Sequence, residues 1–180
     1  MDGTVKISKK DFVDTLYIWL SEHLTEKEVK SMADEFGSSI KGLFKIKTKR
    51  KLYAKLYIEL YTLNMYLIIF ACEEVIKNTN KKKDVLELFH RVVYRKNIKV
   101  TGMSYRKWLS LMELTYSEYH NTMESESLLS PLLLLSNVFC KNIFGEDTKK
   151  IDSSVKFEIG MRIGGIAKQL SNLLREYEVE

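Results

Sequence analysis

Seven cations with no acid among them lead into a long uncharged segment, and this junction constrains the fold more than any other feature of the sequence. The uncharged segment, LYTLNMYLIIFAC, covers residues 60–72. A single helix that passes from water into a protein interior would show this change from charged to apolar residues. We therefore expect one continuous helix over about 48–77, with its basic end at the surface and its apolar end in the core. The cations are Lys41, Lys45, Lys47, Lys49, Arg50, Lys51 and Lys55.

The expected length of this helix determines where it can lie. At about 1.5 Å per residue it would be on the order of 45 Å long. A compact domain of 180 residues has a diameter of about 40 Å. The helix must therefore cross the whole molecule or protrude from it.

The remaining apolar patterns are helical as well. Ser8 and Asp11 have the spacing of a capping box, and Ser130-Pro131 is a good N-cap and N1 pair. Apolar residues recur at helical spacing across 105–123, and no stretch alternates convincingly with period two. The sequence predicts one all-α domain over 1–180, a bundle of about six to seven helices.

A last helix is expected over about 154–177, and its apolar residues step by 4, 3, 4, 3, 4, as in a coiled coil. Gly160 and Gly164 lie four residues apart within it, which would allow another helix to approach closely. This pattern predicts self-association as a homodimer, although packing of the seam inside its own domain remains the alternative. The predicted face consists of Ile159, Gly160, Ile163, Gly164, Ile166, Leu170, Leu173 and Tyr177.

Positive charge is concentrated in the first half of the chain. Residues 1–100 carry 20 Lys and Arg against 13 Asp and Glu, whereas residues 101–180 carry 9 against 11. The basic segment 41–107 is therefore a candidate surface for an acidic partner, and nucleic acid is one such partner. The candidate phosphate contacts are Lys47, Lys49, Arg50, Lys51, Lys55, Lys81, Lys82, Lys83, Arg91 and Arg95.

The mode of nucleic-acid binding is limited by helix geometry. Lys51, Lys55 and Glu59 form one stripe on an ideal helix, and Tyr53 and Tyr57 lie more than about 90° from it. Binding of single strands requires aromatic rings beside the cations, so that bases stack while phosphates are neutralised. Base stacking on this helix is therefore disfavoured, and plain phosphate binding remains open.

Motifs for chemistry are weak throughout. Glu87 and His90 have the Glu-x-x-His spacing of di-iron bundles, but there is no second copy. Both residues are expected on the polar side of their helix, where Glu87 is well placed to pair with Arg91. Cys72 and Cys140 lie in apolar runs, where buried reduced thiols are expected. We predict no catalytic residue, no cofactor and no metal.

The sequence also indicates a compartment and a class of function. The N-terminus has no apolar signal region, and the longest uncharged apolar runs are thirteen residues, shorter than the roughly 20 that span a membrane. We expect a cytoplasmic, non-enzymatic binding or regulatory protein whose partner is protein, either a second copy or another chain, and no membrane association. Nucleic-acid binding is the alternative. A ligand-binding or enzymatic bundle is the third option, for which Asn64 in the apolar helix is the only hint.

Overall fold

The computed structural model describes residues 4–39, 47–124 and 130–180, and this part of the chain is almost entirely helical. The predicted all-α bundle is confirmed. Seven α-helices lie in the described ranges, together with a π-helical turn at Tyr94–Ile98, short 3-10 segments at Lys99–Thr101 and Gly145–Lys150, and two very short strands. The helices are α1 (Lys9–Glu22), α2 (Glu26–Ser39), α3 (Lys47–Val75), α4 (Thr79–Val93), α5 (Tyr105–Met123), α6 (Pro131–Phe144) and α7 (Ser153–Arg175).

The central helix is α3, which is continuous over its 29 residues and contacts each of the other six helices. Every residue from 60 to 68 is buried, so this part of α3 is covered on all sides. The buried Asn64 amide donates to the carbonyl of His23 at 3.1 Å, as a polar group in a core must find a partner. The prediction of one continuous helix with a buried apolar end is confirmed.

The apolar character of α3 extends beyond the uncharged run. Residues Leu52–Val75 are long and apolar enough, by length and composition alone, to cross a membrane. However, 72% of the most apolar window is buried inside the protein. Burial by surrounding helices accounts for an apolar helix of this length.

Two strands, β1 (Val5–Ile7) and β2 (Tyr177–Val179), pair in parallel near the two ends of the chain. Val5 lies opposite Tyr177, and the amide of Val5 donates to the carbonyl of Glu176 at 2.8 Å. The last helix, expected over about 154–177, is α7, which stops two residues earlier at Arg175. Tyr177 belongs to the sheet, and its ring packs edge-on against Phe12 with centroids 6.3 Å apart.

Helix starts follow the polar residues that cap them. Ser8 accepts from the amide of Asp11 at 3.2 Å, which confirms the predicted cap. Asn78, which follows the end of α3, accepts from the amide of Lys81 at 3.0 Å. It is thus the N-cap of α4, which begins at Thr79.

Candidate binding surfaces

The face of α7 that was predicted for self-association lies largely inside the chain, because α7 packs against α6 and α3. Four of its members are buried: Ile159, Gly160, Ile163 and Leu170. Gly164, Ile166 and Leu173 are half-buried, as is Tyr177, which lies in β2. The heptad seam therefore packs within its own domain, the alternative that the sequence left open.

The glycines of α7 divide into two groups with different surroundings. A Cβ on Gly160 would lie 3.0 Å from the backbone oxygen of Leu132, and one on Gly164 would lie 2.6 Å from Leu132 Cδ1. The close helix approach that the glycines predicted is thus an approach of α6. Gly165 is different, since a Cβ there would meet nothing within 4 Å.

An apolar stripe runs along the opposite side of α7. Phe157 is 60% exposed and Met161 is 58% exposed. With Gly165 they follow at i, i+4 and i+8, so all three lie on one outward face of the helix. We call Phe157, Met161 and Gly165 the α7 stripe. The sequence does not indicate this stripe clearly, because two apolar residues four positions apart are a weaker pattern than the heptad seam on the same helix.

The candidate phosphate contacts do not form one cluster. Lys55 Nζ donates to the carbonyl of Ile143 at 3.2 Å, at the C-terminal end of α6. Lys81 Nζ donates to the carbonyl of Val179 at 2.8 Å, beyond the far end of α3. About 30 Å of helix separates Lys55 from Val75, at a rise of 1.5 Å per residue. The side chains of Lys47, Lys49, Arg50 and Lys51 lie outside the described residues.

Several cations of the first half are paired within the chain. Arg91 pairs with Glu87 at 2.6 Å, as predicted, and Lys9 pairs with Asp84 at 2.9 Å. Lys96 Nζ lies 4.1 Å from the centroid of the Tyr17 ring. The head groups of Arg91, Lys9 and Lys96 are thus engaged by contacts within the chain.

A different set of cations lies close together around the segment that joins α4 to α5. The rings of Tyr94 and Tyr105 are 5.2 Å apart, so their neighbours Arg95 and Arg106 lie at the same end of the bundle. Residues 94–107 contain five cations and no acid. All five cations are exposed and none forms an ion pair within the described ranges, although Lys96 lies over the Tyr17 ring. The connector cluster is Arg95, Lys96, Lys99, Arg106 and Lys107. Only Arg95 was among the predicted site residues, because the sequence does not show that the segment between α4 and α5 brings Tyr105 back beside Tyr94.

A groove of about 440 Å³ lies between α4 and α5. Leu86, Tyr105, Leu109 and Tyr116 supply its apolar lining, and His90 contributes a ring nitrogen. Thr79, Lys82, Lys83, Glu87 and Glu113 supply its polar lining. We refer to this space as the α4–α5 groove.

His90 is only 8% exposed, so the expectation that it lies on the polar side of its helix is wrong. The rings of Trp108 and Tyr116 from α5 cover it, each with its centroid 6.0 Å away. Its Nδ1 lies 2.7 Å from the carbonyl of Leu86, and a carbonyl can only accept, so Nδ1 carries the proton. Burial lowers the pKa of His90, which keeps the imidazole neutral and leaves a lone pair on Nε2.

A buried carboxyl group occupies the contact of α3, α5 and α6. Glu59 is 9% exposed and accepts hydrogen bonds from Tyr119 Oη and from Asn142 Nδ2, the latter at 2.8 Å. Burial raises the pKa of Glu59, and the two hydrogen bonds oppose that rise. The sequence placed Glu59 on a stripe with lysines, where it resembled a surface residue.

The two thiols are buried and unpaired, as predicted. Burial raises the pKa of Cys72 and of Cys140 to about 12, so neither is a thiolate near neutral pH. Among the described residues no group of three or more His, Cys, Asp or Glu could hold a metal ion.

Comparison of the chain with protein-family models, with curated proteins and with solved structures found no match. The functional proposals below therefore depend on the geometry of this chain alone.

Proposed function

We propose that the chain is a non-enzymatic helical protein that acts by binding macromolecules and that it self-associates through the α7 stripe. The observation that carries this proposal is the exposure of Phe157 and Met161 beside Gly165. Burying an exposed side chain of this size contributes about 1.5–3 kcal/mol. A second chain that covers the stripe would recover this free energy.

Gly165 supports a close contact on this face. A glycine inside a helix costs about 1 kcal/mol relative to alanine. No neighbour within the described chain requires the absence of a Cβ at this position. An approaching helix would require it.

The stripe is suited to a second copy of itself. If two α7 helices cross antiparallel near Met161, Phe157 of one copy lies level with Gly165 of the other, since both are four residues from Met161. The bulky residue of each copy then meets the position without a side chain. This self-complementarity favours a two-fold symmetric dimer.

The double variant Phe157→Glu/Met161→Glu is expected to be a monomer at concentrations where the unmodified chain is a dimer. Charged side chains would be desolvated in the contact and would repel their symmetry mates. Sedimentation velocity or light scattering over a range of protein concentrations measures the change. Both side chains are exposed, so the thermal unfolding midpoint of the monomer should change little.

Leu114→Glu is the matched control, because Leu114 is 71% exposed but lies on α5. This variant should dimerise like the unmodified chain. A strict monomer at tens of micromolar before any substitution would overturn the self-association proposal, as would a double variant that still dimerises.

We propose nucleic-acid binding through the connector cluster as a second candidate function. It is favoured by one observation, the five cations in 94–107 with no acid among them. Four of these cations have exposed, unpaired head groups in the described structure. Such groups can neutralise phosphates and release counterions.

The variant Arg106→Glu/Lys107→Glu is expected to weaken binding to a short DNA duplex at low salt by tenfold or more, because two phosphate contacts are lost. Since each phosphate contact contributes about 0.9 to the slope of log affinity against log salt, that slope should also become less steep by about 2. Fluorescence anisotropy with a labelled duplex measures both quantities.

A charge-matched control is Lys10→Glu/Lys27→Glu, which reverses two exposed cations on α1 and α2. Its affinity should decrease much less. Lys49→Glu/Arg50→Glu/Lys51→Glu tests the basic end of α3 separately. Binding that is insensitive to salt and to all three sets of substitutions would exclude this function.

A further inference from the structure

We infer that the α4–α5 groove is a binding site for a small amphipathic anion, that is, a molecule with an aromatic or branched apolar body and one acidic group. The groove has a volume of about 440 Å³. Sites for small molecules usually measure about 300–1,000 Å³ and combine apolar walls with a few polar groups. This site does not depend on self-association or on nucleic-acid binding.

The walls of the groove can bind the apolar body of such a ligand. Leu86 projects from α4, and Leu109 and Tyr105 project from α5. His90, Trp108 and Tyr116 fill the space where the two helices would otherwise meet, with ring centroids about 6 Å apart. An inserted ring can therefore lie against aliphatic and aromatic surface on both sides.

A hydrogen-bonding position lies within the same groove. His90 Nε2 bears a lone pair, and Tyr116 Oη lies 3.5 Å from it, at the outer limit of a hydrogen bond. Neither group is therefore well satisfied by the other. A ligand hydroxyl placed beside the pair, within reach of both atoms, could accept from Tyr116 and donate to His90.

The charges facing the groove favour an anion. Lys82 and Lys83 line it, and neither forms an ion pair within the described part of the chain. The acidic Glu87 is already paired with Arg91 at 2.6 Å. Glu113 is the remaining acid in the lining, so the two lysines exceed the unpaired acidic charge. Both lysines also lie near the N-terminus of α4, where the helix dipole favours negative charge.

The larger groove beside the terminal strands, of about 570 Å³, has no comparable set of available groups. There Glu74 accepts hydrogen bonds from Arg175 and Ser171. Lys81 donates to the carbonyl of Val179 at 2.8 Å. Glu74, Arg175 and Lys81 of its lining are thus already engaged within the chain.

Naphthalene-2-sulfonate is a suitable probe because it combines an aromatic body with one anionic group, and calorimetric titration measures its binding. We expect binding to the unmodified chain and a clear loss of affinity for the neutral analogue 2-naphthalenemethanol. Lys82→Glu/Lys83→Glu should lower the affinity for naphthalene-2-sulfonate by about tenfold. Leu109→Trp should weaken the binding of both compounds, because the larger indole occupies part of the groove. Circular dichroism and thermal unfolding establish that each variant is folded.

Glu113→Gln tests the sign of the charge that the groove prefers. It removes the remaining unpaired acid, so the affinity for naphthalene-2-sulfonate should rise. Phe157→Glu on α7 is the control and should bind like the unmodified chain. No binding of the sulfonate, unchanged binding in Leu109→Trp, or weaker binding in Glu113→Gln would each overturn the assignment.

Discussion

Tyr119→Phe is expected to lower the free energy of unfolding by about 2–3 kcal/mol at pH 8, because it removes a hydrogen bond to a buried carboxylate. Tyr119 is fully buried, and its hydroxyl donates to Glu59. Without it, Glu59 retains only the Asn142 amide among its described donors. No cation within the described ranges forms an ion pair with this carboxylate.

The loss of stability in Tyr119→Phe should depend on pH, and the raised pKa of Glu59 determines whether it grows or shrinks as pH rises. In the unfolded chain Glu59 ionises near its ordinary value of 4.5, whereas in the folded chain it holds its proton to higher pH. Ionisation of Glu59 therefore reduces stability as pH rises from about 4.5 through the folded pKa, and the full penalty is present above it. Tyr119→Phe removes a donor that opposes this rise, so its cost should be larger at pH 8 than at pH 4.

Urea unfolding at pH 4 and pH 8 measures both effects. Glu59→Gln should remove this contribution to the pH dependence and should gain stability relative to the unmodified chain as pH rises. Tyr57→Phe is the control, since Tyr57 is exposed, and its effect should stay within about 0.5 kcal/mol. An equal cost of Tyr119→Phe at both pH values would contradict the assignment of a charged acceptor.

Gly160→Val is expected to lower the free energy of unfolding by about 2–3 kcal/mol, the cost of forcing extra atoms into a packed contact. The first added atom would lie 3.0 Å from the carbonyl oxygen of Leu132, which is backbone and cannot turn aside. Valine adds two further methyl groups beyond that atom. The helices α6 and α7 would have to separate.

Gly165→Val provides the comparison on the same helix, five residues away. Its Cβ would meet nothing within 4 Å, and valine is the better helix former by roughly 0.5 kcal/mol. At protein concentrations where the chain is monomeric, we therefore expect unchanged or slightly raised stability in thermal and urea unfolding. If both valine variants were equally destabilised, the Leu132 contact would not explain the cost of Gly160→Val, because Gly165 has no such contact.

The main features of the fold could be predicted from sequence because they depend on local patterns. The apolar run after the basic segment predicts a helix over about 48–77, and α3 covers Lys47–Val75. Ser8 and Ser130 indicate helix starts because capping involves only residues within one turn. The pairing of β1 with β2 could not be predicted in this way. Strands of three residues are too short to show alternation, and their partners lie at opposite ends of the sequence.

The candidate sites were harder to predict, because each depends on a neighbour from another helix. The glycine spacing indicated a close helix approach, but only the structure identifies Leu132 as the group that fills it. His90 looked exposed on the pattern of α4 alone, and Trp108 and Tyr116 of α5 cover it. Glu59 shares a helical stripe with Lys55 and is nevertheless buried under α5 and α6.

The parallel pairing of Val5 with Tyr177 also bears on the order in which the molecule assembles. It closes a loop on the order of 170 residues, and the entropic cost of closure grows with loop length. Three-residue strands gain too little to meet that cost unaided, so the helices must first bring them together. The small sheet then holds the start of α1 next to the end of α7, and we expect its hydrogen bonds to break before the bundle itself unfolds.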